Sequence, residues 1–194
     1  PPREGTSYKF SLRVKLEEEC CGTGSVMWPS GLVLGECLWQ GDVDISNKLV
    51  LELGCGCVAV PSIVAAHLGA KQVVATDSVS EVLKQAVTNA GTHGVCVSRF
   101  DWSDAAGVLC KPTMENSLFV HEQLRADVVL WADAVYSDIG GFLLGSAVSM
   151  HLDTGGVCVA VVPARPRPGM DMFDQEMCLV GFVRVIERTV SPSL

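Results

Sequence analysis

Four short segments of the sequence carry residue types able to bind a nucleoside and steer a group transfer. They are Glu52-Leu-Gly54-Cys55-Gly56, Asp77, Asp101-Trp102 and Ala132-Asp133-x-x-Tyr136. Two glycines around one residue permit a tight turn and close backbone approach to a ligand. A helix after such a turn offers N–H groups that have no partner within it. Asp77 lies 21 residues past Gly56, and a carboxylate there can accept hydrogens from both hydroxyls of a ribose. Alone, the glycines make a plain turn and the aspartate a helix cap. Together at this spacing they point to a nucleoside.

Two cofactors use that geometry. Gly54-x-Gly56-x-x-Ala59 fits the dinucleotide fingerprint. Against a nicotinamide cofactor stand Glu52, placed to reach an amino-acid end, the early Pro61, and the lack of a Tyr-x-x-x-Lys dyad, since Tyr136 is followed by Gly140 at that spacing. S-adenosylmethionine is the better match, with Glu52, Gly54, Gly56 and Asp77 as its contacts. Methyl transfer needs an acceptor aligned with the methyl group. An alkyl ammonium has no lone pair, so the site must receive a neutral amine or remove its proton. Asp133 is placed to attract and orient the ammonium, and Tyr136 to hydrogen-bond the amine or close the pocket. The other reading makes Asp133 a cap on the next helix and Tyr136 packing. Asp133-Ala-Val-Tyr136 lacks the paired prolines usual where planar amide or nucleobase nitrogens are methylated, so the acceptor is read as an aliphatic amine.

Positioning these segments requires strands that end where they begin. Residues 48–53, 71–76, 94–100 and 127–131 are short apolar runs typical of strands buried on both faces. A fifth strand is expected over 157–162 after a turn at Gly155-Gly156, a sixth over 182–190, and an N-terminal one over 8–16. Trp28-Pro29 opens a helix, with proline at a first-turn position. Further helices are expected over 58–69, from a capping box at 78–81 to Ala90, over 139–151 and over 171–180. The alternation predicts an α/β fold: a doubly wound, mostly parallel Rossmann-like sheet with helices on both faces. In such sheets ligands lie beyond the C-terminal strand ends, where all four segments fall.

The 194 residues suit one domain, read as an N-terminal strand extension over 1–27 and a cofactor-binding domain over 28–194. A net charge of −8 disfavours nucleic acid. The uncharged run over 53–70 holds three glycines and Pro61, so it is a strand end, turn and core helix rather than a membrane span. No secretory signal pattern is visible at the start, which opens on Pro1. Nine cysteines without a CxxC spacing read as buried thiols in a reducing compartment, and no metal site is expected. His93, His121 and His151 are read as surface or loop residues. Arg165 and Arg167 are assigned to a solvated proline-rich loop, with contact to substrate as the alternative.

The sequence resembles the lysine-methyltransferase-like family of seven-strand, class I S-adenosylmethionine-dependent methyltransferases. The resemblance rests on VMWPSGLVLGECL, LVLELGCGCVAVPSIVAAHLGA, VVATD, Asp101-Trp102 and DVVLWADAVY in that order, and it covers residues 8–190. That group includes enzymes acting on chaperones, a valosin-containing ATPase and translation factors. The resemblance implies that Trp28 lines the donor pocket, that the turn of Gly54, Cys55 and Gly56 holds the donor's amino-acid part, that Trp102 packs on the adenine with Asp101 near its amine, and that Ala132 contacts the donor through its backbone. It implies Asp133 and Tyr136 as catalytic residues and S-adenosylmethionine, without a metal, as cofactor. The expected activity is methylation of a protein lysine. A small-amine methyltransferase or a non-catalytic donor-binding module are the alternatives. The expected protein is a cytoplasmic monomer, possible also in the nucleus, with a protein substrate and no nucleic-acid or membrane partner. Two departures stand out. One candidate strand occupies the place of the family's closing hairpin, so a last strand is cut or absent. Bulky Trp131 stands where a small residue is expected.

Overall fold

The computed structural model describes residues 22–106 and 124–182. The strand expected over 8–16 and almost all of that over 182–190 lie outside the described residues. Five strands, β1 (Leu49–Leu53), β2 (Gln72–Asp77), β3 (Cys96–Arg99), β4 (Ala126–Ala132) and β5 (Leu152–Val161), form one parallel sheet in the order β3-β2-β1-β4-β5. The helices are α1 (Pro29–Gln40), α2 (Val60–His67), α3 (Ser80–Ala90), α4 (Asp138–His151) and α5 (Met170–Leu179).

The continuous apolar runs of β1 and β4 follow from burial on both faces. Alternate residues Val50, Val128 and Leu130 join Leu34, Ile63 and Val82 in a core with α1, α2 and α3. Their neighbours Leu51, Leu53, Val129 and Trp131 join Leu144, Val148 and Phe173 in a core with α4 and α5. Period-two alternation sends successive side chains to opposite faces, so neither face tolerates a polar stripe. Trp131 is fully buried there, its ring edge-to-face on Phe173 at 5.0 Å between centroids. Its bulk fills the layer between the sheet and α5.

Local chemistry sets the element ends. Trp28 is extended (ψ 142°) because a residue before proline is pushed out of the helical region, and Pro29 then starts α1. Ser137 caps α4, accepting a hydrogen bond from Gly140 N at 3.1 Å. Two expectations fail. The capping box at 78–81 does not form: α3 starts at Ser80 with Val79 at its cap and no side-chain cap. Asp77 instead accepts from Val79 N at 3.1 Å, a local side-chain turn that displaces Ser78 from the capping role. Nor does Gly155-Gly156 end in a free turn. Both glycines lie inside β5, where the pairing to β4 jumps from Ala126↔Leu152 to Val128↔Val157; the extra residues bulge out of the ladder and β5 resumes its register.

Candidate functional site

The order β2-β1-β4 sets the ends of β1 and β4 side by side. There the chain switches from crossing one face to crossing the other, which leaves a crevice. The turn after β1 winds through left-handed backbone at Gly54 (φ +70°), Gly56 (+62°) and Ala59 (+53°) before α2 begins. A Cβ on Gly54 would sit 3.4 Å from both the Trp102 ring and Ala134, so glycine keeps the crevice open where the indole leans over the turn. The turn is fastened on several sides. Cys55 N donates to Thr76 O and Cys57 N to Gly24 O, each at 2.8 Å. Gly56 N donates to Asp77 Oδ2 at 3.1 Å, and Asn89 Nδ2 to Cys57 O at 2.9 Å.

The resulting cavity measures about 300 Å³, at the lower end of the size of small-molecule sites. All eleven residues singled out from the sequence line it: Trp28, Glu52, Gly54, Cys55, Gly56, Asp77, Asp101, Trp102, Ala132, Asp133 and Tyr136. Among the described residues the lining carries four acidic side chains and no lysine, arginine or histidine.

The acids differ in setting. Glu52 is buried and accepts from Ser62 N at 3.0 Å and Ser62 Oγ at 2.5 Å, both on Oε2. Burial pushes its carboxyl up to about 7, against the pull of the Ser62 hydrogen bonds. Burial also raises Asp77, with the N–H groups of Val79, Gly56 and Ser78 working in the opposite direction. Asp101 is held below the usual carboxylate range, chiefly by the Ser103 hydroxyl and N–H. Tyr136 is raised by burial and then by the Asp133 charge.

Asp133 does not cap α4, the alternative the sequence left open; Ser137 holds that role, and the Asp133 carboxylate is paired. Its Oδ2 lies 2.5 Å from Nη2 of Arg167, both largely buried. The Arg167 guanidinium stands 5.4 Å over the Tyr136 ring. Arg167 is therefore no solvated loop residue, whereas Arg165 is exposed as expected. His151, expected at the surface, is buried, with Nδ1 3.0 Å from Leu124 O and its ring edge-on to Phe100. His93 pairs with His67 at 3.0 Å, and His121 lies outside the described residues. Among the described residues no group of three or more His, Cys, Asp or Glu is arranged to hold a metal ion, and no helix is long and apolar enough to cross a membrane.

A sequence model of the family described as Lysine methyltransferase matches residues 9–167. The chain belongs to the lysine methyltransferase family. A histone-arginine methyltransferase, METTL23 of Xenopus laevis, is 40% identical over 77 residues, which is 39% of this chain and 32% of that protein. The protein N-terminal and lysine N-methyltransferase EFM7 of Kluyveromyces lactis is 33% identical over 39% of this chain and 28% of its own length. The protein N-lysine methyltransferase METTL21A of Danio rerio is 29% identical over 68% of this chain and 59% of its own length. The chain thus spans less than two thirds of each of these relatives. Among solved structures, a ribosomal protein L11 methylase from Lactobacillus delbrueckii aligns with a TM-score of 0.58 at 19% identity, covering 83% of this chain and 73% of that one. At that identity the likeness speaks for the fold alone.

In this lysine methyltransferase family member the sequence reading missed three parts of the site. The segment Thr23 to Met27 lies along the cavity, and nothing local in the sequence marks its return to the turn. Ser62, ten residues from Glu52, becomes legible only once strand and helix are known to be adjacent. Arg167 carried a signal in its proline-flanked setting, but its partner is 34 residues away.

Proposed function

We propose that the protein is an S-adenosylmethionine-dependent methyltransferase acting on a lysine side chain of a protein. The observation that carries the reading is that Asp133 and Tyr136 line the same cavity as the Gly54–Gly56 turn and Asp77, so donor and acceptor groups can meet there. Family membership supports it, as do relatives named for protein lysine methylation.

The residues present fit such a donor. The left-handed turn at Gly54 and Gly56 leaves its backbone open to the amino-acid part. Asp77 keeps lone pairs for ribose hydroxyls although each oxygen accepts one N–H. Trp102 offers an aromatic face for the adenine, with Asp101 beside it; Trp28, fixed by its indole N–H on Thr23 O at 2.7 Å, and the Ala132 backbone border the pocket. Glu52 can meet a donor ammonium. When bound, the donor supplies an electrophilic methyl group on a sulfonium. The chain's own part is to align the acceptor nitrogen with that methyl group and to exclude water. The net charge of −8 and the lack of prolines in Asp133-Ala-Val-Tyr136 support a cationic protein partner over nucleic acid. Cys55, Cys96, Cys158 and Cys178 are free thiols, which supports a reducing compartment such as the cytoplasm.

Calorimetry with S-adenosylhomocysteine tests the donor assignment: absence of binding by the folded protein sinks it. Mass spectrometry of lysate proteins after incubation with isotopically labelled donor tests the acceptor. Label on lysine is expected. Label on arginine, the residue in the name of the Xenopus relative, would replace lysine as the acceptor, and label on small molecules alone would refute the protein substrate.

A further inference from the structure

Arg167 joins the site from outside the cavity lining. It reaches the one acid, Asp133, that stands at the acceptor end beside Tyr136. Its delivery is built into the fold. The loop before α5 contains Pro163, Pro166 and Pro168, whose rings fix the backbone. Gly169 then seats the chain against Ser137, so closely that a Cβ there would overlap the Ser137 carbonyl. The stiff loop holds the guanidinium on Asp133 with 14% of its side chain exposed. Among the described residues Asp133 Oδ1 is buried and has no hydrogen-bond partner, so the ion pair with Arg167 carries the compensation of its charge.

Charge decides what that arrangement does. Among the described residues Glu52, Asp77, Asp101 and Asp133 line the cavity and no basic residue does. Tyr136 feels the charges of Asp133, Arg167 and Asp77 together. A lysine entering such a site without Arg167 would be held as its ammonium, which has no lone pair to attack with. An opposite charge within about 4–6 Å favours a charged form by about 1–3 pKa units.

We propose that Arg167 is a positioning residue for the acceptor: by balancing the charge of Asp133 it lets the site receive the lysine as a neutral amine beside Tyr136. This rests on the lysine-methylation reading. The surplus proton leaves to solvent as the amine is bound. The nitrogen lone pair then forms the new N–C bond while the S–C bond breaks with its electrons remaining on sulfur, and the methylated amine carries the positive charge.

The test uses a peptide around the lysine found by labelling. In wild type and in Arg167→Gln, turnover is followed against pH at saturating donor. The midpoint of the kcat profile is expected to move up by about 1–3 pH units in the variant, with KM unchanged or lowered, because the unbalanced carboxylate retains the ammonium. Asp133→Asn/Arg167→Gln, which removes both charges, is expected to return the midpoint to that of wild type. Asp133→Asn alone leaves a positive charge and is expected to lower it, which keeps the test decisive if Arg167→Gln does not fold. Independently of turnover, calorimetry of the peptide binding to the S-adenosylhomocysteine complex in two buffers counts protons released. Near one is expected for wild type at pH 7.5 and near zero for Arg167→Gln. Unmoved midpoints, equal proton release, or loss of S-adenosylhomocysteine binding in Arg167→Gln would overturn the role. A wild-type protein that methylates no lysine at all would instead overturn the underlying reading.

Discussion

Glu52→Gln probes the energetic state of the cavity floor. Glu52 has 2% of its surface exposed, and both Ser62 donors converge on one of its oxygens. Its carboxyl rises from the ordinary 4.5 to about 7, and at 1.36 kcal/mol per unit the difference is about 3 kcal/mol. Between pH 4.5 and about 7 the folded protein keeps a proton that the unfolded chain has lost. Stability contributed by this group therefore falls as pH rises through that window, and above it the fold carries the whole penalty. Glutamine offers one carbonyl oxygen, enough for both Ser62 donors, and has nothing to ionise. The variant is expected to be about 2–3 kcal/mol more stable than wild type at pH 8, a rise in Tm of roughly 5–10 °C for a chain of this size. The gain is expected to fade as pH falls to 5. Urea unfolding of both proteins at pH 5, 6, 7 and 8 measures it. A stability difference independent of pH, or a glutamine variant weaker than wild type at pH 8, would refute the reasoning. Calorimetry at pH 8 should also show weaker S-adenosylhomocysteine binding by the variant, since the carboxylate proposed to meet the donor ammonium is gone.

Other perturbations have equally direct readings. Asp77→Ala removes the acceptor of Gly56 N and Val79 N. It should lower urea stability by about 1–2 kcal/mol and weaken S-adenosylhomocysteine binding at least about tenfold by calorimetry. Trp131→Ala empties a fully buried site against Phe173 and should cost about 3–5 kcal/mol in urea unfolding, whereas Trp131→Phe should lose much less. His151 is held below its ordinary 6.5 by burial, so the unfolded chain binds more protons and stability falls as pH drops below 6.5. His151→Gln should flatten that slope, measured in the Glu52→Gln background where the opposing slope is absent.

The strands and the cavity lining were legible because their signals are local. A strand buried on both faces must be an apolar run, and the turn beyond it must use residues that accept positive φ. Knowing that the strands are parallel then brings their C-terminal ends together, which is why ten of the eleven candidate residues line one cavity, joined by Trp28 from the start of α1. Expectations failed where two local chemistries competed. Asp77 turned the chain through Val79 N so that Val79, not Ser78, stands at the cap of α3, and β5 absorbed Gly155-Gly156 as an irregularity since the neighbouring ladder resumed beyond them.

The sequence by itself determined the α/β alternation, the nucleoside-type turn and the acids at the strand ends, each set by spacing along one stretch of chain. The tertiary structure decided which charges stand alone. It buried His151, packed Trp131 on Phe173 and placed Gly24 O on Cys57 N. Above all it set Arg167 on Asp133, across 34 residues. A carboxylate's sequence position tells where it sits, whereas its chemistry depends on the charge opposite, and that charge arrives from whichever loop the fold returns to it.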